Sequence, residues 1–213
     1  MSPGEIAAAV LLGIGGYLLG AIPFGLIVGL RMKGVDIRQS GSGNIGTTNA
    51  YRCLGAKAGT IVLVCDIAKG AIPAVVAGLY FQPWLAVILS VLPVFGHMRS
   101  VFLRGAGGKG VATGAGVVLG LMWPVFLIVL GAFLLVLLTV RMVSAASLTA
   151  AVVFPIATWL TGQPLAYFIV SLVLSPLVII AHHANIRRIL QGKEPRFRLP
   201  WTRRGQTADG SKA

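Results

Sequence analysis

Acidic residues are scarce in this chain. Only five of its 213 residues are Asp or Glu, and charged residues of both signs together make up 11%. A water-soluble domain carries about a quarter charged residues, so with 56% hydrophobic residues and a mean hydropathy of +0.89 a soluble globular fold is excluded. The chain belongs in a membrane. A bilayer-crossing helix uses about 20 residues, which allows roughly six to eight spans and leaves no room for a separate soluble domain. Cysteine and histidine are also sparse. Cys53 and Cys65 form neither a CxxC metal spacing nor a secreted disulfide framework and read as free thiols in a reducing setting. Three His and five scattered acids supply no metal-ligand set, so neither a metal nor a cofactor is expected. Met1 to Glu5 lacks a basic region, and the apolar run behind it reaches Leu30, roughly twice a signal-peptide core, so this is a span and not a leader.

What the chain does have is positive charge, +13 from eighteen Lys and Arg. In a soluble protein that excess would suggest nucleic acid; here it reports topology, and no nucleic-acid partner is expected. Apolar stretches cover residues 6–30, 58–80, 84–96, 111–140, 143–160 and 165–181. The fourth would form a helix of roughly 45 Å in a hydrocarbon core of about 30 Å, and Trp123-Pro124 is its natural break. The split gives seven spans. With the N-terminus outside, the external connections 1–5, 81–83, 122–124 and 161–164 hold no Lys or Arg, and every basic residue except Lys69 falls on the inner side or in the C-terminal segment. Six spans would put Arg141 and the basic C-terminal segment opposite the other cationic loops. The expected architecture is therefore an all-α polytopic membrane protein with seven transmembrane helices, an external N-terminus and a cytoplasmic C-terminus. Residues 1–204 form one transmembrane catalytic domain and 205–213 a disordered tail. Before the tail, Arg196, Arg198, Arg203 and Arg204 alternate with Phe197, Leu199 and Trp201, a strip suited to anionic headgroups of the lipid bilayer.

Three polar motifs share the cytoplasmic side. GSGNIGTTNAYR, residues 41–52, is dense in small polar residues that turn backbone amides inward around an anion, with Gly41, Ser42, Gly43, Asn44, Thr48 and Asn49 lining it and Arg52 adding a bidentate donor. The bland alternative is a flexible polar turn. GHMRSVFLRGAGGKGVAT, residues 96–113, brings Gly107, Gly108, Lys109 and Gly110 to the start of an apolar helix, where amides, helix dipole and lysine together favour phosphate. It is not a nucleotide-hydrolysing P-loop: Leu103 stands where the first glycine belongs and Gly110 where Ser or Thr follows the lysine. HHANIRRILQGKEPR, residues 182–196, places His182 and Asn185 on one helix face and points His183 elsewhere. Glu194 reads as a structural ion pair among Lys193, Arg196 and Arg198. Asp66 and Lys69, one turn apart deep in a span, read either as mutual neutralisation or as a wall of a polar cavity.

The same stretches, together with DIAKG at 66–70 and the Gly96-His97 pair, make the chain similar to the bacterial acyl-phosphate-dependent glycerol-3-phosphate acyltransferases, integral membrane enzymes of phospholipid synthesis in the inner membrane. The resemblance runs over most of the chain. It implies a seven-helix fold with an external N-terminus and an active site lined by Ser42, Arg52, the glycines before Lys109, His182 and Asn185, with Asp66, Lys69, His97 and Glu194 in structural or cavity roles. It departs from the family at Ser100, Gly105 and Ala106, where Pro, an aromatic and a basic residue are usual.

The implied reaction is attack of the 1-hydroxyl of glycerol 3-phosphate on the carbonyl of acyl phosphate, which needs positioning and charge more than a strong nucleophile. No His is followed five residues later by Asp, and no Gly-x-Ser-x-Gly elbow occurs. Arg52, Lys109 and the glycine amides would hold two anions, Ser42 and Asn185 would orient the reacting groups, and His182 would bind phosphate or relay a proton. The base stays open between these groups and an oxygen of a substrate phosphate. The rival from another class, an organic-phosphate transporter or exchanger, would also want cationic loops, but the outer connections offer no cationic mouth. A lipid-binding scaffold would leave all three motifs idle.

Overall fold

A computed structural model describes residues 1–197. The 205–213 tail and the headgroup strip from Arg198 onward lie outside the described residues. Among those described, the chain is all helix and turn: α1 Pro3–Ala21, α2 Phe24–Lys33, α3 Thr47–Leu54, α4 Ala56–Tyr80, α5 Pro83–Met98, α6 Val111–Leu121, α7 Trp123–Val140, α8 Val143–Leu160, α9 Leu165–Ala181 and α10 His183–Leu190, with short 3-10 turns at Ile37–Gln39 and Val101–Leu103. By length and apolarity five segments can cross a bilayer, namely α1, α4, α5 taken with the following 3-10 turn (Pro83–Leu103), α7 and α8, and α9 with α10, bent by 59°, makes a sixth if the pair is one span. The protein is thus a multi-pass membrane protein. α6, 11 residues long, is apolar but falls short of a full crossing by itself.

The break expected at Trp123-Pro124 is present. α6 ends at Leu121 and α7 opens with Pro124 in its first turn, where a missing N–H costs nothing. The apolar run 6–30, expected as one span, is instead two helices parted at Ile22-Pro23. Hydropathy cannot see this division, because Pro73, Pro93, Pro155 and Pro176 lie inside continuous helices. At the break the Leu19 carbonyl is met by the Ile22 amide, Ile22 O accepts from the Phe24 amide and from Lys69 Nζ, each at 3.1 Å, and Lys69 Nζ lies 5.6 Å from the centre of the Phe24 ring.

α4 is the hub, packed by α1, α2, α3, α5 and α6, while α7, α8 and α9 form a second group joined to it through α5 and α6. Small residues permit the close approach. A Cβ on Gly116 would meet the backbone of Ile67 and Ala71, and one on Gly70 would meet that of Thr113. These pairs fix depth: α6 starts beside Gly70, roughly 20 Å along α4 from its first residue at 1.5 Å per residue. The loop before α6 is therefore sunk into the bundle. At the opposite end, Tyr80, Trp84, Trp123 and Trp159 stand exposed near helix termini, as an interfacial aromatic belt does. In α7 Val125 alone is buried, so that helix presents nearly its whole circumference to lipid.

Candidate active site

The first motif is built around Asn49, which is 1% exposed. Its Nδ2 donates to the carbonyls of Ile37, Ser40 and Asn44 at 2.9, 3.0 and 2.9 Å, and its Oδ1 accepts from the Ser42 amide at 2.9 Å. That use corrects the expectation that Asn49 lines the anion seat: its hydrogen-bonding capacity is spent holding the loop. Gly41, at φ +63°, must lie against Asn49 and Cys53, where a side chain would collide with Cys53 Sγ at 2.8 Å. Asn44 folds the next turn by accepting the Gly46 amide at 2.8 Å. The Gly43 amide is spent on Ser40 O. Gly46 caps α3 without a side chain, and the amides of Thr47 and Thr48 have no protein partner among the described residues. Ser42 is exposed, and its hydroxyl bonds to no described residue.

His97 shapes the second motif. Buried on the last turn of α5, it accepts the Gly108 amide on its carbonyl at 3.0 Å and lays its ring against the Gly108 Cα, so that any Cβ there would enter the imidazole. Gly107 is equally tight against the Met98 carbonyl, at 2.5 Å from a Cβ position. The Gly108 amide is thus unavailable to a ligand, a correction to the expectation that all the glycines donate. Those of Gly107, Lys109 and Gly110 carry no hydrogen bond within the described protein, and α6 opens without a side-chain cap. The departure at position 100 has a local role, since the buried Ser100 Oγ donates to Ala21 O at 2.6 Å and ties this loop to the end of α1.

The third motif closes the site. α10 turns away from α9 at His182, whose Nδ1 faces Val178 O at 2.8 Å. A carbonyl only accepts, so Nδ1 carries the proton and Nε2 the lone pair. Asn185, on the inner face of α10, accepts from Lys109 Nζ on Oδ1 and donates from Nδ2 to Glu194 Oε1 at 2.6 Å. Glu194 also accepts from Ser144 Oγ at 2.7 Å and pairs with Arg188 Nε at 2.7 Å. Its expected partners Lys193 and Arg196 are exposed instead, because the turn after α10 directs the carboxylate inward. Burial pushes the Glu194 carboxyl up, but hydrogen bonds from Ser144, Asn185 and Arg188 outweigh it and hold the group below its usual range. Lys109 is lowered from 10.5 to about 8, first by burial, then by the positive charges of Arg188 and Arg52, with Glu194 opposing.

The structure therefore gathers Lys109, His182, Asn185 and Glu194 from the second and third motifs, while Arg52, exposed on α3, makes no hydrogen bond to them and acts on Lys109 through its charge; Ser42 in the first loop and Thr48 in α3 likewise have no hydrogen bond to that cluster. Sequence reasoning missed Ser144 and Arg188; the one visible signal for Ser144 was a hydroxyl at the start of an apolar helix. Asp66 and Lys69 form an ion pair at 2.8 Å with side chains 2% and 1% exposed, which decides for neutralisation over a polar cavity; His97 Nδ1 stands 3.7 Å from the same carboxylate oxygen. Both cysteines are free, and among the described residues no group of three or more His, Cys, Asp or Glu is placed to hold a metal.

Comparison with known proteins gives the same answer from independent directions. Residues 10–192 match the family model described as glycerol-3-phosphate acyltransferase. A glycerol-3-phosphate acyltransferase of Synechococcus sp. (strain JA-2-3B'a(2-13)) is 45% identical over 91% of this chain and 97% of its own length, and one from Geobacillus kaustophilus is 43% identical over 88% and 95%. The crystal structure of PlsY, an integral membrane glycerol 3-phosphate acyltransferase, in its glycerol 3-phosphate form superposes with a TM-score of 0.86 at 40% identity, covering 90% of this chain and 96% of that one; the lysophosphatidic acid form gives 0.84. With residues 10–192 matched by the family model and relatives 43–45% identical over nearly their whole length, the chain belongs to the glycerol-3-phosphate acyltransferase family.

Proposed function

We propose that this protein transfers an acyl chain from acyl phosphate to the 1-hydroxyl of glycerol 3-phosphate, releasing lysophosphatidic acid and inorganic phosphate, at the cytoplasmic end of a seven-span bundle in the inner membrane. The observation that carries this reading is Lys109 at the uncapped start of α6, held by Asn185, with His182 and the positive charge of Arg52 near enough to bear on it. Two anionic substrates need this much positive charge and free amide, whereas an acyl-enzyme route needs a nucleophile paired with a base. Lys109, Arg52 and the Gly107, Lys109 and Gly110 amides hold phosphate oxygens. Asn185 fixes the ammonium of Lys109, and the lone pair of His182 Nε2 accepts from and orients the attacking hydroxyl. Asn49 and His97 position the loops. The hydroxyl oxygen bonds to the acyl carbon, the bond from that carbon to the phosphate oxygen breaks, and the hydroxyl proton ends on the departing phosphate, so no enzyme group need change its covalent state. α6 serves as the seventh span, short because its first turn begins inside the bundle.

Purified protein supplied with acyl phosphate and glycerol 3-phosphate should release inorganic phosphate and lysophosphatidic acid without ATP, added divalent metal or coenzyme A. A strict requirement for acyl-CoA, or acylated protein trapped by rapid quench, would refute the proposal. For the topology, a cysteine replacing Gln163 should react with an impermeant thiol reagent in intact cells and one replacing Lys193 should not; the reverse pattern would overturn it.

A further inference from the structure

Ser144 lies in the first turn of α8, outside the three motifs, and is buried. Its hydroxyl donates to Glu194 Oε1, the same oxygen that accepts from Asn185 Nδ2. A carboxamide has one accepting and one donating end, and the two differ only by a flip about its last bond. In Asn185 the choice is made by Glu194: the carboxylate takes the NH2 group, so the oxygen is the end left to face Lys109. Were the amide reversed, it would set N–H groups against an ammonium and leave the buried carboxylate facing an oxygen.

The carboxylate itself is held at three points. Arg188 holds Oε2, while Ser144 and Asn185 share Oε1. Arg188 is the half-exposed partner, its side chain 39% accessible against 6% for Glu194, so Ser144 is the fixed anchor of the three. It reaches Glu194 across 50 residues of sequence and ties the segment after α10 to the start of α8.

We infer that Ser144 is a positioning residue for acyl transfer, acting through Glu194 and Asn185 to aim the Lys109 ammonium at substrate phosphate. The inference rests on the reading of Lys109 as a phosphate-binding group. Thr and Val at position 144 are nearly isosteric and differ in the hydroxyl, so any disturbance from the added methyl is common to both. Ser144→Thr should keep kcat/KM for glycerol 3-phosphate within about threefold of the wild-type protein, while Ser144→Val should lose about tenfold, a hydrogen bond to a charged acceptor being among the stronger kind. Ser144→Val should also unfold at a lower temperature than Ser144→Thr, because the buried carboxylate loses a donor, so rates are compared at a temperature where both variants are fully folded. Equal rates for Thr and Val, whether both fast or both slow, would overturn the role.

A double-mutant cycle with Asn185→Ala, which removes the amide without adding a charge beside Glu194, separates positioning from simple stabilisation. Ser144→Val should add less than twofold to the loss already caused by Asn185→Ala; multiplying losses would overturn action through Asn185. Lys109→Ala, assayed alongside, keeps the two readings apart. If it retains wild-type kinetics, the assignment of Lys109 fails; if it is impaired while Ser144→Val is not, the assignment of Ser144 alone fails.

Discussion

The lowered proton affinity of Lys109 gives the site a measurable alkaline limit. With the free-enzyme group near 8, about nine-tenths of the protein carries the ammonium at pH 7, half at pH 8 and about one-tenth at pH 9. If the ammonium binds substrate phosphate, kcat/KM for glycerol 3-phosphate should be level up to about pH 7.5 and fall about tenfold per pH unit above 8.5. Phosphate stabilises the ammonium once bound, so the limb in kcat should lie at higher pH than the limb in kcat/KM. Stability should move in the opposite direction. Unfolded protein binds the Lys109 proton more tightly than folded protein, so between pH 8 and 10.5 the unfolded chain holds more protons and this group makes folding more favourable as pH rises. Activity lost while the contribution of this group to stability grows is not alkaline denaturation. Lys109→Arg keeps its charge throughout this range, so it should have a lower rate and no limb near pH 8. Initial rates from pH 6 to 10, with thermal unfolding at each pH, test the argument. A wild-type kcat/KM that is flat to pH 9.5, or a Lys109→Arg enzyme with the same limb, would refute it.

Gly108→Ala drives a methyl into the His97 ring and should cost at least about a hundredfold in turnover with the protein still folded, whereas Gly114→Ala, with open space at its Cβ, should retain activity and gain up to about 1 kcal/mol in helix propensity. Steady-state rates and thermal unfolding of the two variants side by side decide this. Asn49→Ala leaves Asn44 O and the Ser42 amide without their partner and removes one of two donors from Ile37 O and Ser40 O; it should cost about 1–3 kcal/mol, together with most activity, and wild-type kinetics would remove Asn49 as the organiser of the first loop. Lys69→Met leaves Asp66 as an unpaired buried charge and should destabilise by about 3–5 kcal/mol, and adding Asp66→Asn should restore much of that. Unfolding temperatures in detergent that rank the single variant at or above the double would contradict the neutralising pair.

The places where sequence and structure part have physical causes. Charge asymmetry assigns the motifs to one membrane face because positive residues avoid the other regardless of detailed packing, and the cysteine-labelling experiment tests that assignment. The break at Trp123-Pro124 was legible because 30 residues exceed the hydrocarbon thickness, whereas the break at Ile22-Pro23 was not, since a proline in an apolar run leaves the helix continuous at Pro73, Pro93, Pro155 and Pro176. The glycine-rich motifs announced folded loops, but which amides remain free is decided by Asn49 and His97, tertiary partners that composition cannot assign. Glu194 was read with its sequence neighbours, yet its partners are Ser144, Asn185 and Arg188, and a turn selects them.

The shortness of α6 has a further consequence, for the response to salt. Its amide-rich start lies beside the middle of α4, and Lys109 there is largely buried, whereas Arg31, Lys33, Arg99 and Arg104 are exposed. Exposed charges are damped beyond a Debye length of about 8 Å at physiological ionic strength, while partly buried ones are damped much less. The protein thus has two electrostatic zones with different sensitivities. If Lys109 binds substrate phosphate as proposed, added salt should weaken the outer zone, where Arg52 is also exposed, more than the contact made by Lys109, so ionic strength should act on how often a substrate arrives more than on how firmly that lysine holds it.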